Sequence, residues 1–240
     1  MSHSVLVTGG TRGIGKAIAH RLVADGATKA VLGYMRNDTA AEAAAEELRA
    51  TGAEVVLVRG NVSDERTVAE LASHGPYRVV VSNAATGVIR PALETEDKHW
   101  DWTLNANARS VLSLARACAP SMEDGGSIVA ISSLGSRRVL PNYVLIGVSK
   151  AALETCVKYL GVELAPRIRV NAVSGGVVDT EALDWFPNKE QMLASVKRTP
   201  MGRLVEPTDV AAAVSFLCSP DAAMVCGQTL VVDGGYSLPA

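Results

Sequence analysis

The sequence predicts a doubly wound parallel α/β sheet. Three observations predict it: short β-branched runs recur along the chain, Ala/Glu/Leu-rich stretches separate them, and a glycine-rich turn joins the first run to the first helix. The runs fall at 4–8, 30–33, 54–59, 78–82, 127–132, 168–172 and 229–232, which implies seven strands. Between them, stretches such as 39–50 and 151–164 are long enough to be the helical crossovers that parallel strands require. Several strands read as nearly continuous apolar runs, the pattern expected when helices cover both faces of the sheet. Alternation breaks mainly near 180–205, where Trp185, Phe186, Pro187 and Pro200 interrupt the path to a helix beginning near Pro207. An insertion beyond the carboxyl ends of the strands is expected to act as a substrate lid.

Composition narrows the function classes. The 240 residues are 48% hydrophobic, enough for one large core, so residues 1–240 are read as a single domain. The formal net charge is −2 with both signs dispersed, which gives no electrostatic case for nucleic acid or a membrane surface. Cys118, Cys156, Cys218 and Cys226 form no CxxC pair and lie in or beside apolar segments, as expected of reduced, buried thiols. With no leader-like apolar region after Met1, and no apolar run near the roughly 18 residues of a membrane span, a cytoplasmic location is expected. No metal-ligand cluster is read from the sequence.

The segment Thr8-Gly-Gly-Thr-Arg-Gly-Ile-Gly15 follows the first strand and opens the first helix. In that context Gly9, Thr11, Arg12, Gly13, Ile14 and Gly15 form a tight turn that lets backbone and helix N-terminus approach a pyrophosphate, so the sheet is Rossmann-like. Sites for the unphosphorylated dinucleotide usually place a carboxylate at the end of the second strand to hold the ribose. Here that end reads Gly33-Tyr-Met-Arg-Asn37, with no carboxylate before Asp38. Arg12 and Arg36 are placed to meet a 2′-phosphate, and NADPH is the expected cofactor.

Tyr143 and Lys150 stand seven positions apart, almost two helical turns, so both fall on one helix face. The position four before the lysine is Ile146, which has no proton to give. At ~1.5 Å rise per residue the three extra positions displace the phenol by ~4.5 Å along the axis. A phenol beside the hydride-accepting carbon suits carbonyl reduction, whereas a displaced one suits a conjugated enoyl thioester, whose charge develops on the remote thioester oxygen.

The landmarks taken together resemble the short-chain dehydrogenase/reductases almost end to end. They are the TGGTRGIG loop, Asn61-Val62, Ser82-Asn83-Ala84-Ala85, Asn107, Ser133, Lys150, Val170-Asn171-Ala172, and Gly227-Gln228-Thr229 through Asp233-Gly234-Gly235. Within that family Tyr-x6-Lys marks the enoyl-acyl-carrier-protein reductases. The stretches Ser82–Pro91, His99–Thr103, Ser132–Ser136 and Val173–Gly176 are similar to the divergent, NADPH-dependent FabL type. Three positions depart from the broader family: Asn61 stands where an aspartate usually binds adenine, Ala85 where a glycine is usual, and Gly175 where a proline precedes Gly176. None removes a catalytic group.

The resemblance implies roles. Lys150 would hold the nicotinamide ribose hydroxyls, and Tyr143 would hydrogen-bond the thioester oxygen. Asn61, Val62, Asn83, Ala84, Gly176, Val178 and Thr180 would line the dinucleotide site. Ser133 would orient substrate or merely form a turn, and Asn107 would anchor a water chain toward Lys150 or satisfy buried backbone groups. Trp185, Phe186, Met192 and Leu193 would line an acyl channel if the lid forms, or pack the lid on the core. Trp100 and Trp102 read as packing or subunit contacts. Arg137, Arg138, Lys189, Lys197, Arg198 and Arg203 flank the expected mouth, where they would steer an acidic acyl carrier protein or serve only as solubilising charge. A homotetramer is also implied. Two other functions stay open: a 3-oxoacyl or polyketide ketoreductase, and a non-catalytic NADPH-binding sensor or assembly partner.

Overall fold

A computed structural model describes residues 3–178, 189–194 and 199–238. Among them seven strands form one parallel sheet in the order β3-β2-β1-β4-β5-β6-β7. The strands are β1 (Ser4–Thr8), β2 (Lys29–Tyr34), β3 (Glu54–Arg59), β4 (Val79–Ser82), β5 (Gly126–Ser133), β6 (Ile168–Gly175) and β7 (Thr229–Val232). The helices are α1 (Gly13–Ala24), α2 (Asp38–Arg49), α3 (Glu65–Ser73), α4 (Asp97–Leu104), α5 (Ser110–Cys118), α6 (Val144–Leu164), α7 (Lys189–Ala194) and α8 (Pro207–Cys218).

Strand alternation builds two cores. On β1, Val5 and Val7 face one side and pack with Ile18, Leu22, Val210 and Val214 of α1 and α8. Leu6 faces the other, with Leu71, Val111, Leu114, Leu153 and Val157 of α3, α5 and α6. A period of two thus feeds both layers from one strand. The strand order reverses between β1 and β4, and a ligand crevice opens beyond the carboxyl ends of strands at such a switch point.

Several strand ends differ by one residue from the sequence expectation, and the end of β6 differs by three. Strand β6 runs on to Gly175 because Val173, Ser174 and Gly175 pair with Ile131, Ser132 and Ser133 on one side and with β7 on the other. Serine and glycine carry little intrinsic strand signal, and the paired neighbours override it. Helix α6 begins at Val144 with Tyr143 as its N-cap residue, so the helical turns read from Tyr143 to Lys150 and the stretch read at 151–164 are one helix. Asn142 precedes it at φ 60°, a left-handed conformation that asparagine tolerates. All four cysteines are free, but only Cys118 is fully buried, its thiol pushed up to about 12 by desolvation; the other three are partly exposed. No helix among the described residues is long and apolar enough to cross a membrane.

Candidate active site

A cleft of about 1790 Å³ lies along the carboxyl ends of the strands. Its dinucleotide end is lined by Gly9, Thr11, Arg12, Gly13, Ile14 and Gly15, by Arg36 after β2, by Asn61 and Val62 after β3, and by Asn83 and Ala84 after β4. Gly176 and Val178 line it from beyond β6, while Ser133, Tyr143, Ile146 and Lys150 form its inner wall.

The glycine-rich turn is held by contacts that leave little room for change. Gly9 has φ 64°, and a Cβ on Gly15 would stand 2.1 Å from the Gly9 carbonyl oxygen. Asn83 Nδ2 donates to the carbonyls of Thr8 and Gly9 at 3.0 and 3.1 Å, and Thr8 Oγ1 accepts from the amides of Asn83 and Ala84. The turn is therefore locked to the segment after β4. Arg12 is an extended N-cap residue whose side chain does not cap α1, so the first amides of that helix face the cleft as donors suited to an anion.

At the far side of the turn, Arg36 is exposed at the cleft rim. Asp38, the first carboxylate after β2, is engaged elsewhere: Tyr34 Oη donates to its Oδ1 at 2.9 Å, and Arg59 pairs with its Oδ2 at 3.3 Å. The Asn61 side chain accepts from the Ser63 amide at 3.0 Å and closes a local turn.

The inner wall is set by β5 and the start of α6. Lys150 is buried at 5% exposure and donates from Nζ to the Ile131 carbonyl at 2.7 Å. Burial lowers its pKa from 10.5 to about 8, because the charged ammonium loses water. Tyr143 Oη donates to Ser133 Oγ at 3.3 Å, a long hydroxyl pair. Desolvation raises the phenol pKa, and the Ser133 bond opposes the rise. Ser133 Oγ also accepts from the Gly135 amide at 3.3 Å and so caps the 3₁₀ turn Leu134–Ser136. The Tyr143 ring lies on Gly135, where a Cβ would come within 2.5 Å of Cδ1 and Cε1. Ile146 packs into the space left by Gly87, whose Cβ would stand 2.3 Å from Ile146 Cγ1.

Asn107 sits on a single π turn, Asn105–Arg109, one layer behind the cleft. Its Oδ1 accepts from the Thr86 amide at 2.8 Å, and its Nδ2 donates to the Thr86 carbonyl at 2.8 Å and to Ser149 Oγ at 2.9 Å. The side chain thus satisfies buried backbone groups and ties the wall after β4 to α6. Both amide protons are used, so a part in a water chain would fall to an acceptor oxygen of this residue.

Other positions fall differently from their sequence reading. Trp102 lines the cleft rather than serving only as packing. Tyr236 does too, and neither pattern nor spacing pointed to it, because it arrives on the segment after β7. Arg137, Arg138 and Arg203 are engaged within the chain: Arg137 pairs with Glu154 at 3.1 Å, Arg138 donates to the Ser237 carbonyl, and Arg203 grips Asp209 at 2.6 and 2.8 Å. Thr180, Trp185 and Phe186 lie outside the described residues. Met192 falls within α7, its side chain outside the described residues, and Ala194 at the end of that helix lines the cleft.

A family profile described as "Enoyl-(Acyl carrier protein) reductase" matches residues 9–237. "Dehydrogenase/reductase SDR family member 4" of Sus scrofa is 39% identical, with 96% of this chain and 85% of that protein covered. The chain belongs to the short-chain dehydrogenase/reductase family. Within the short-chain dehydrogenases/reductases it is also 36% identical to a "1-cyclohexenylcarbonyl-CoA reductase" of Streptomyces collinus, covering 98% of this chain and 87% of that protein. Among solved structures of this fold, a blue fluorescent protein from a metagenomic library in complex with NADPH is 33% identical, with a TM-score of 0.90 and 98% of each chain covered. As a short-chain dehydrogenase/reductase, the chain is an NAD(P)-dependent oxidoreductase, which accounts for the joined dinucleotide end and inner wall.

Proposed function

We propose that the protein reduces a trans-2-enoyl thioester to the saturated acyl thioester with NADPH. The observation that carries this reading is the division of labour on α6: Tyr143 presents its phenol at the helix start against Ser133, while apolar Ile146 fills the position one turn nearer Lys150. The acid is thus set back from the lysine, as a charge developing on the thioester oxygen requires. The name of the Streptomyces collinus relative, a reductase of a conjugated cyclohexenylcarbonyl thioester, supports the same chemistry.

The residues present fit NADPH. The glycine turn of 9–15 and the first amides of α1 would hold its pyrophosphate, Arg12 and Arg36 its 2′-phosphate, Asn61 and Val62 its adenine, and Lys150 its ribose hydroxyls. The NADPH-bound structural relative supports this choice. When bound, the dinucleotide supplies a hydride to C3 of the enoyl group. Tyr143 donates a hydrogen bond to the thioester oxygen as enolate charge forms, and Ser133 orients the phenol by accepting from it or turning toward substrate. A proton from Tyr143 or solvent then completes C2, and the product is the saturated thioester. Trp102, Ile146 and Leu140 supply apolar wall for the acyl group.

A second reading, reduction of a 3-oxoacyl thioester, draws on the same Tyr143–Ser133 pair, which would bond a ketone. Offering the purified protein an enoyl and a 3-oxoacyl thioester side by side, with NADPH oxidation followed at 340 nm, separates the two. Turnover of the enoyl substrate alone is expected, and turnover of the oxo substrate alone overturns the proposal. In the same assay Arg36→Ala raises the KM for NADPH on the order of 10-fold while that for NADH hardly moves, since a charge-assisted phosphate contact is lost. Equal effects on both would remove Arg36 from the cofactor assignment.

The acyl carrier is proposed to be an acyl carrier protein in the cytoplasm, with coenzyme A as the alternative that the name of the Streptomyces collinus relative supports. The engaged state of Arg137, Arg138 and Arg203 leaves these three less to contribute to docking than their sequence positions implied. A homotetramer is proposed from the family resemblance. It is supported by Tyr159 and Val162, 75% and 83% exposed on α6, and by Leu230 and Val231 on the edge strand β7. A monomer mass by light scattering would remove it.

A further inference from the structure

Glu154 lies one helical turn beyond Lys150 on α6 and is buried at 6% exposure. A carboxylate in that position needs strong partners, because desolvation of an unpaired charge is costly. Among the described residues its partners all come from one short segment. Ser132 Oγ donates to Oε1 at 2.7 Å, Ser136 Oγ donates to the same oxygen at 2.6 Å, and Arg137 Nε donates to Oε2 at 3.1 Å. Ser136 Oγ also stands 2.8 Å from the Ser133 carbonyl, so its single proton lies between the carboxylate and the backbone of Ser133.

These three donors bracket Ser133 and Gly135. Ser133 is the acceptor for the Tyr143 phenol, and Gly135 is the surface on which the Tyr143 ring rests. The same turn presses on α6 from its other side, where a Cβ on Gly147 would come within 2.7 Å of the Gly135 carbonyl oxygen. One charged acceptor on a rigid helix therefore ties down the turn that touches both ends of the phenol. Charge-assisted bonds in a dry setting hold geometry more tightly than apolar packing does.

We infer that Glu154 is a positioning residue: by holding Ser132, Ser136 and Arg137 it fixes the 133–135 turn, and through that turn the direction of the Tyr143 hydroxyl. Its effect on catalysis rests on the reading of Tyr143 given above. Glu154 does not line the cleft.

Two substitutions at Glu154 test it in the full-length protein with NADPH. Glu154→Leu removes every acceptor, and kcat for the enoyl thioester falls about 10- to 100-fold while the NADPH dissociation constant stays within about twofold. Glu154→Gln keeps an amide oxygen for the two serines and retains most of kcat. If Glu154→Leu does not fold, Ser132→Ala/Ser136→Ala reproduces the loss. Where both fold, combining them adds little, as expected for groups acting as one unit. A readout independent of turnover is the ring cross-peak of Tyr143 in protein carrying ¹³C-tyrosine, assigned by its disappearance in Tyr143→Phe. That peak moves in Glu154→Leu and holds in Glu154→Gln.

An unchanged kcat in folded Glu154→Leu overturns the inference. So does an unmoved Tyr143 peak accompanied by parallel losses of thermal stability and NADPH affinity, which would make Glu154 structural only. Should the wild-type protein not reduce the enoyl thioester, the proposed function fails and the cross-peak alone decides the role of Glu154.

Discussion

Replacing Tyr143 by phenylalanine lowers kcat for the enoyl thioester about 100- to 1,000-fold and leaves NADPH affinity within about twofold. The change removes one oxygen. The ring keeps its seat on Gly135, and α6 keeps its first hydrogen bond, from the Gly147 amide to the Tyr143 carbonyl at 2.8 Å, because neither uses the hydroxyl. What disappears is the donor aimed at the charge that forms on the thioester oxygen. Ser133 loses its 3.3 Å partner but keeps the Gly135 amide, so the turn stays in place. Single-turnover kinetics measure the chemical step, and NADPH fluorescence titration measures binding. Retained turnover in this variant would sink the assignment of Tyr143, whereas equal losses in both measurements would place the residue in cofactor binding.

Lys150→Met is expected to cost turnover on a similar scale, of order 100-fold or more, while making the cofactor-free protein more stable at neutral pH. Burial lowers the lysine pKa from 10.5 to about 8, so at pH 7 the folded state confines an ammonium that the unfolded chain would hydrate. At 1.36 kcal/mol per pKa unit this is a net cost of about 3 kcal/mol, the bond to the Ile131 carbonyl included. The sign follows from linkage. Between about pH 8 and 10.5 the unfolded chain holds more protons at this site than the folded one, so wild-type stability rises with pH through that window. The methionine variant lacks this rise. The stability gap between the two proteins, measured by urea unfolding, is therefore widest below pH 8 and closes by about 3 kcal/mol toward pH 10.5. A gap that stays constant with pH would show that Lys150 carries no burial penalty.

Much of the dinucleotide end is legible in the chain because it is local. Gly9, Gly13 and Gly15 sit within one turn between a strand and a helix, and the close approach of Gly15 to the Gly9 carbonyl, at 2.1 Å for an added Cβ, is a demand of that turn alone. The spacing of Tyr143, Ile146 and Lys150 is likewise a matter of helical geometry. The inner wall is harder to read. Tyr236 and Glu154 carry no motif, Trp102 reads in the sequence as packing or a subunit contact, and each reaches its place through partners supplied by other elements. Arg137 and Arg138 look like surface charge in the sequence, yet one meets a buried carboxylate 17 residues on and the other a carbonyl 99 residues on.

The order of strands and helices, the two-sided burial of β1 and the glycine turn were determined by the sequence alone, since side-chain period and backbone freedom are properties of a few consecutive residues. Only the tertiary structure decided that Asn107 clamps Thr86 and Ser149 rather than facing the cleft, and that β6 extends to Gly175. It also decided that Glu154 gathers the Ser133 turn beneath Tyr143. Those outcomes depend on which distant groups the folded sheet brings within hydrogen-bond reach, and buried polar atoms take whichever partners the closed core leaves them.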